Sequence, residues 1–179
     1  THHPYQDDDA VAAVEKFIED EKPDYIIYNG DMNDFYQVSE FSKDPSRLGQ
    51  LQSDIDITID MFHRHARLVP DAQLFFIDGT HESRWIKYLQ DKAPAVSQLR
   101  GISISNLYNL PEEGIHHVGF ERGILVNGTF LILHGDIVSK HSSATARQHY
   151  EKHGGSGMCN HTHRLGSFYK RDRFGTYGC

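Results

Sequence analysis

Histidine and aspartate side chains recur soon after short apolar runs in this chain. His161 and His163 stand one residue apart, and Asp31, His81 and His134 each follow an apolar run. Imidazole and carboxylate groups are ligands that divalent manganese, iron, zinc or nickel accept. Paired histidines alone are weak evidence, since most of them lie on protein surfaces. Their recurrence at several strand ends indicates a two-metal hydrolytic site.

The apolar runs themselves are predicted to be β-strands. They cover residues 25–28, 74–77 and 130–133. Each run is too short for a helix and is apolar on both faces, as expected for strands covered on both sides. In such folds, ligands gather beyond the carboxyl ends of the strands. The pattern therefore predicts that the side chains following these runs lie close together.

The order of these motifs resembles the signature of the calcineurin-like metallophosphoesterases. The motifs are Gly30-Asp31-Met32-Asn33-Asp34, Gly79-Thr80-His81-Glu82, His134-Gly135 and His161-Thr162-His163. The resemblance covers essentially the whole chain, and residues 141–164 look most like members from bacteriophages and prophages. It implies one domain over residues 1–179, built as two mixed β-sheets packed in a sandwich and flanked by helices. The sequence pattern alone supports an α/β fold, with α+β as the alternative.

The resemblance also implies which residues bind metal. Two divalent ions are expected, Mn²⁺ first, with Fe, Zn, Ni or Mg as alternatives. Asp31 would bridge both ions, because a carboxylate offers two oxygens. The first ion would be bound by His2 and His163, and the second by Thr80, His134 and His161. Such a metal pair lowers the pKa of a bridging water, so that hydroxide can attack phosphorus.

Other residues of these motifs are expected to act on the substrate or to support the site. By the family pattern, His81 protonates the leaving alkoxide or stabilises its charge, and Asp34 orients His81 through a hydrogen bond. Arg164 is expected to contact substrate phosphate. Glu82 is expected to be structural and paired with Arg84.

Three departures from the family pattern bear on activity. The family opens with an Asp-x-His motif; His2 fits its histidine, whereas the aspartate would stand immediately before Thr1. The chain is therefore expected to be a truncated window that lacks its first strand and its C-terminal end. Thr80 stands where the family has an asparagine ligand. Asn160 stands where a glycine usually precedes the first histidine of the pair.

These observations leave three functions open. The expected one is a metal-dependent phosphoesterase acting on a phosphomonoester or phosphodiester, either a small molecule or a nucleic acid end. One alternative is a DNA-processing nuclease of the same superfamily. The other is a degenerate relative that binds metal or a partner without turnover, because of Thr80, Asn160 and the missing aspartate. No cysteine nucleophile, nucleotide-binding glycine loop or serine elbow is evident.

Composition sets the outer limits of these functions. The net charge of -7 argues against a broad surface that tracks nucleic acid phosphates. No stretch of about 18 apolar residues occurs, so no membrane span is predicted. The only two cysteines, Cys159 and Cys179, fit a reduced, cytoplasmic location.

Four helices and a hairpin are predicted around the strands. The first helix starts at the cap residues 7–9 and ends near Glu21, with Val11, Val14 and Ile18 facing the core. The other helices run from Leu51 to before Pro70, from His81 towards Pro94, and from about Ser143 to Lys152. Residues 115–130 alternate in polarity and contain Asn127-Gly128, which predicts a β-hairpin.

Overall fold

The computed structural model describes all 179 residues, which form two compact units. Unit 1 is Thr1–His117 and unit 2 is Val118–Cys179. Small β-sheets and helices make up the chain, so the mixed α/β class is confirmed at that level. None of the helices is both long and apolar enough to cross a membrane. The count of one domain stays a prediction.

Two parallel strands joined through a helix form the centre of unit 1. They are β1 (Tyr25–Asn29) and β2 (Gln73–Ile77), and the second helix, α2 (Leu51–Leu68), lies between them in the sequence. The strand β3 (Ile115–Val118) completes a sheet of order β1-β2-β3. Both predicted strands are present. They could be predicted from the sequence because buried parallel strands consist of continuous apolar runs.

The first helix, α1 (Asp8–Glu21), begins where the acidic cap predicts. The Asp7 carboxylate accepts a hydrogen bond from the first turn. The prediction that Val14 faces the core is wrong, because its side chain is 53% exposed. Glu15 takes the inward position instead and forms an ion pair of 2.8 Å with Arg64 of α2.

An aromatic core fills unit 1 and holds α2 against the sheet. The predicted apolar face of α2 is confirmed, since Ile55 and Phe62 are buried and Leu51, Ile59 and Ala66 pack against them. Two shorter helices, α3 (Thr80–Lys92) and α4 (Ile104–Leu107), follow β2. The other buried members of this core are Tyr28, Met32, Phe35, Met61, Leu74, Phe76, Ile104, Tyr108, Leu110 and Ile115.

Unit 2 contains a mixed sheet, one helix and a terminal hairpin. The sheet has the order β4-β5-β6, in which β5 pairs antiparallel with β4 and parallel with β6. Its strands are β4 (Ile124–Val126), β5 (Phe130–Leu133) and β6 (Ser156–Cys159). The helix α5 (Ser142–His153) was predicted within one residue at each end. The hairpin of β7 (Tyr169–Asp172) and β8 (Gly175–Gly178) was not predicted.

The hairpin predicted over residues 115–130 is wrong in its first strand. The Asn127-Gly128 turn joins β4 to β5, and β3 belongs to the sheet of unit 1. Ile115 is buried in the core of unit 1, so burial of that side chain decides where β3 pairs.

Candidate metal centre

Asp31 lies where the loop after β1 meets the start of α3. Its side chain is buried, and its Oδ1 accepts a hydrogen bond of 2.8 Å from the backbone N–H of His81. The hydroxyl of Thr80 donates to the same oxygen at 3.3 Å. Because β1 and β2 are parallel, the loops that follow them leave the sheet at the same edge. Two of the predicted motifs therefore meet at the Asp31 carboxylate.

The first residues of the chain run alongside the loop after β1. The N–H of His2 donates to the carbonyl of Asp31 at 2.9 Å, and the N–H of His3 donates to that of Met32 at 2.8 Å. This pairing places His2 Nε2 3.9 Å from Asp31 Oδ2. A metal ion bound to both atoms at about 2.0–2.2 Å is compatible with such a separation.

His81 contacts both His2 and Asp34. The Nδ1 atoms of His2 and His81 are 3.3 Å apart. His81 Nδ1 lies 2.9 Å from the backbone carbonyl oxygen of Asp34 but 3.7 Å from its carboxylate. Asp34 therefore orients His81 through its backbone carbonyl and not, as was predicted, through its carboxylate. Because a carbonyl oxygen can only accept a hydrogen bond, we assign the proton to His81 Nδ1. Burial lowers the pKa of His81, which favours the neutral imidazole.

The ligand atoms of His2, Asp34 and His81 form a compact group. All three lie within 4.8 Å of one another. The two residues predicted to be catalytic therefore lie beside a predicted metal ligand. Imidazole nitrogens and a carboxylate oxygen are suitable donors for a divalent transition metal, but His81 Nδ1 would have to release its proton before it could bind one.

Glu82 is structural, as predicted, but its predicted partner is wrong. Arg84 donates to the carbonyl of Asp34 at 2.9 Å and not to Glu82. The fully buried Glu82 carboxylate instead accepts hydrogen bonds from the backbone N–H groups of Asp31 at 2.8 Å and Gly79 at 2.9 Å. The remaining donors are the Met32 N–H and the Tyr108 hydroxyl, each at 3.0 Å, and the Asn33 N–H at 3.5 Å.

These contacts tie the loop that carries Asp31 to the first turn of α3. Burial raises the pKa of Glu82, and the nearby charge of Asp31 raises it further, whereas the N–H donors oppose the shift. Sequence reasoning missed this role of Glu82. A glutamate three residues after Gly79 at a helix start was the available signal, because such a side chain can accept the N-cap N–H.

In unit 2, two predicted ligands leave neighbouring strands at the same end. Leu133 of β5 pairs with Cys159 of β6 in parallel. The next residues continue together, since the N–H of Asn160 donates to the carbonyl of His134 at 2.9 Å. The ring centroids of His134 and His161 are 5.5 Å apart. Parallel pairing thus brings together two histidines that are distant in the sequence.

A tight turn centred on His161 follows β6. The N–H of Thr162 donates to the carbonyl of Asn160 at 2.7 Å, across His161. His161 has a positive φ of 58°, whereas Asn160 does not fall in the left-handed region. The backbone at Asn160 therefore does not require the glycine that the family has there.

His163 and Arg164 leave the turn on its exposed side. His163 is exposed and has a positive φ of 52°. The guanidinium of Arg164 donates to the backbone carbonyls of Ser139 and Lys140. Contact of Arg164 with substrate phosphate stays a prediction.

His149 of α5 was missed by the sequence reasoning. It is buried, and its ring edge lies 2.9 Å from the point where a Cβ on Gly135 would stand. Gly135 directly follows His134 and has a φ of 91°, which favours glycine. Burial lowers the pKa of His149, which favours its neutral form. His149 therefore packs against the loop that carries His134. The sequence signal for this close packing was Gly135, because only a residue without a side chain leaves room for the ring.

Left-handed backbone is concentrated at the predicted ligands. Eight non-glycine residues have positive φ, and four of them are predicted to bind metal. Such backbone costs on the order of 1–3 kcal/mol per residue and clusters at functional sites. This strain is a signal that does not depend on the family resemblance. The four residues are His2, Asp31, His161 and His163, with φ of 56°, 54°, 58° and 52°.

Comparison with known proteins finds phage relatives. The chain is 27% identical over 173 residues to the Gene 54 protein of Mycobacterium phage D29, an alignment that covers 93% of this chain and 67% of that protein. It is 25% identical to the Gene 54 protein of Mycobacterium phage L5, with the same coverage. Similarity to phage proteins is therefore confirmed. No protein-family model and no solved structure matches the chain.

Proposed function

We propose that this chain is a metal-dependent phosphoesterase that hydrolyses a phosphomonoester or phosphodiester. The observation that carries the proposal is the cluster at Asp31. His2 and the consecutive residues Thr80 and His81 come from two distant parts of the sequence, and all three contact that carboxylate. Its strained backbone, with φ of 54°, is held by a buried glutamate. Strain maintained by dedicated hydrogen bonds is typical of a functional site.

The residues that would hold metal are those predicted from the sequence. When bound, two divalent ions stabilise negative charge on the phosphoryl oxygens and lower the pKa of a bound water. The donor chemistry fits, since imidazole and carboxylate groups suit Mn, Fe, Zn and Ni. The predicted ligands are His2, Asp31 and Thr80 in unit 1 and His134, His161 and His163 in unit 2.

The remaining residues position the ligands and move a proton. The hydrogen bond from the His81 N–H fixes the Asp31 carboxylate at the positive end of α3. The Asp34 carbonyl fixes the His81 ring through the Nδ1 proton, so Nε2 is the nitrogen that would face the leaving oxygen. To donate a proton there, Nε2 would first have to take one up, for example from the attacking water, and His81 would then return to its neutral form. Arg84 in turn binds the same carbonyl and holds Asp34 in place.

We also propose that the chain has the calcineurin-like metallophosphoesterase fold. A calcineurin-like sandwich contains two mixed sheets, and the chain has a sheet with parallel strands in unit 1 and a mixed sheet in unit 2. In each unit, predicted ligands follow the carboxyl ends of parallel strands, which is where α/β folds bind ligands. The similarity to phage proteins agrees with the phage-type members that the sequence resembles.

The direct test is hydrolysis of p-nitrophenyl phosphate and bis-p-nitrophenyl phosphate by the purified chain. After chelation, we expect no turnover until Mn²⁺ or another divalent transition metal is added. Asp31→Asn keeps the shape of the side chain but removes its charge. We expect this variant to lose turnover by roughly a hundredfold or more, the scale seen when a reacting group is misplaced.

His116→Ala is the matched control for loss of an imidazole. His116 is exposed on β3 and is not a predicted ligand, so this variant should keep its activity. Turnover that survives thorough chelation would contradict the proposal. Wild-type turnover and metal content in Asp31→Asn would contradict the ligand assignment.

A degenerate, metal-binding relative is the second candidate, because of Thr80. Its hydroxyl donates to Asp31, at 3.3 and 3.4 Å from the two carboxylate oxygens. An asparagine side chain would reach one bond further and offer a carbonyl oxygen, which is a stronger neutral ligand. We therefore expect Thr80→Asn to tighten binding of the more weakly held metal by about tenfold, the effect that residues around a metal can have on its affinity.

Calorimetric metal titration and initial rates at limiting metal measure this effect. Turnover should rise at limiting metal and change little at saturating metal. Thr80→Ser is the control, because it keeps the hydroxyl and should bind metal like the wild type. No tightening in Thr80→Asn would show that threonine is already a competent ligand or that Thr80 does not bind metal. Tighter binding without any turnover would favour the degenerate relative.

A further inference from the structure

Positive charge is concentrated in the last sixteen residues of an acidic chain. Residues 164–179 contain four cations and one carboxylate, a net side-chain charge of +3, whereas the whole chain has -7. Such asymmetry suggests an anionic partner for this segment. The cations are Arg164, Lys170, Arg171 and Arg173.

The hairpin of β7 and β8 gives this segment two distinct faces. Its register pairs Tyr169 with Gly178 and Arg171 with Thr176. Because directly paired residues of an antiparallel ribbon share a face, these four side-chain positions lie on one face. Lys170 alternates with them and lies on the opposite face.

The face that carries Lys170 packs against α5. The Lys170 ammonium lies 5.5 Å from the centre of the Tyr150 ring, and the ring of Tyr177, its partner across the ribbon, lies 6.4 Å from that of Tyr150. The other face is therefore turned away from α5. We call the Tyr169, Arg171 and Thr176 side, together with the turn at Arg173 and Phe174, the outer face.

Aromatic rings on the outer face are exposed to solvent. Tyr169 is 72% exposed and Phe174 is 76% exposed. The Tyr169 ring lies against Gly178, where an added Cβ would come within 2.8 Å of its Cε1 atom. The Asp172 carboxylate accepts the Phe174 N–H at 2.8 Å, which fixes the turn. The Tyr169 ring therefore rests on the hairpin and the backbone at Phe174 is fixed, while both rings remain accessible.

Two exposed arginines belong to the same face, and one of them lies beside an exposed ring. Neither Arg171 nor Arg173 forms an ion pair or a hydrogen bond through its side chain, and the Arg173 guanidinium lies 4.8 Å from the centre of the Phe174 ring. Unpaired cations next to exposed aromatic rings are the combination that binds single-stranded nucleic acid, through phosphate contacts and base stacking. A duplex hides its base faces, and the acidic remainder of this chain would repel its closely spaced phosphates.

We propose that the outer face of the β7–β8 hairpin binds single-stranded nucleic acid. This goes beyond the proposed hydrolysis and does not require it, because the face contains none of the predicted metal ligands or catalytic residues. Base stacking needs no particular sequence, so the proposal specifies single strands as a class. DNA and RNA share this chemistry, and the experiment includes both.

The test is fluorescence anisotropy of labelled dT12 and rU12 oligonucleotides with the full chain in excess EDTA. Chelation separates this test from any metal-dependent reaction. We expect saturable binding, at least tenfold weaker in Arg171→Ala/Arg173→Ala and in Tyr169→Ala/Phe174→Ala. The arginine variant should also lose about 1.4 from the slope of log affinity against log salt, since each phosphate contact on a single strand contributes about 0.7.

Controls come from α1, which has an exposed cation and an exposed ring at consecutive positions, the cation being paired with Asp20. Lys16→Ala and Phe17→Ala should bind like the wild type, since both side chains are exposed outside the hairpin. Circular dichroism of all variants checks that they fold. The proposal is overturned if the wild type does not bind, if both hairpin variants bind like it, or if a 12-bp duplex or a polyglutamate peptide binds as tightly as dT12.

Discussion

Gly79→Ala is expected to destabilise the chain and to abolish most of its turnover. A Cβ at this position would stand 2.3 Å from both the backbone nitrogen and Oδ1 of Asp31, and 2.9 Å from Oε2 of Glu82. Two of these neighbours belong to a buried, hydrogen-bonded loop that cannot yield independently. Overpacking of this kind costs about 1–3 kcal/mol. Broken hydrogen bonds around Glu82 would add to that cost.

The loss of turnover in Gly79→Ala should be larger than its loss of folding stability alone would cause. Movement of Asp31 by as little as about 1 Å would be enough for a hundredfold loss, since catalytic groups tolerate little displacement. Chemical unfolding and steady-state kinetics with saturating Mn²⁺ measure the two effects separately.

Gly101→Ala is the matched control, because no atom lies within 4 Å of its added Cβ and its φ is not in the left-handed region. This variant should keep both stability and turnover. Wild-type behaviour of Gly79→Ala would show that the loop carrying Asp31 is not packed as described.

Glu82→Ala is expected to cause the second large effect. It would leave the N–H groups of Asp31, Met32 and Gly79 and the hydroxyl of Tyr108 without their acceptor. An unsatisfied buried donor costs about 1–3 kcal/mol, so a loss of several kcal/mol in the free energy of unfolding is expected. Water entering the vacated space would reduce this loss. Metal affinity should fall as well, because Asp31 loses the contact that holds its left-handed backbone.

Denaturant titration and calorimetric metal binding measure these changes. Glu82→Gln should fall between the wild type and Glu82→Ala, because it keeps one acceptor oxygen but turns an amide donor towards other donors. Asp91→Ala removes an exposed carboxylate from the same helix and should change neither quantity. If Glu82→Ala unfolds and binds metal like the wild type, the network around Glu82 does not hold the Asp31 loop.

Local sequence patterns were sufficient to predict four of the five α-helices and some of the strands. The acidic cap at Asp7 and the glycines after α5 marked helix ends, because capping depends on residues close in sequence. Short apolar runs predicted β1, β2 and β5. The polar β7–β8 hairpin was missed, since Lys170, Arg171 and Asp172 give no apolar alternation and the strands form through pairing with each other.

For the candidate site, the sequence determined which residue types stand after which strands. Parallel pairing of β1 with β2, and of β5 with β6, then explains why Asp31 meets Thr80 and why His134 meets His161. The motifs were readable because ligands gather at the carboxyl ends of such strands.

Only the tertiary structure decided how the side chains around Asp31 are held. The acceptor of the His81 hydrogen bond, the partner of Arg84 and the donors around Glu82 all depend on backbone groups whose directions a sequence does not give. The pairing of β3 was likewise decided by burial. Its short sequence does not specify a partner strand, and it pairs in the sheet of unit 1 because Ile115 is buried in the core of that unit. The left-handed backbone of Asp31 likewise persists because distant residues satisfy its hydrogen bonds, an effect that no local pattern encodes.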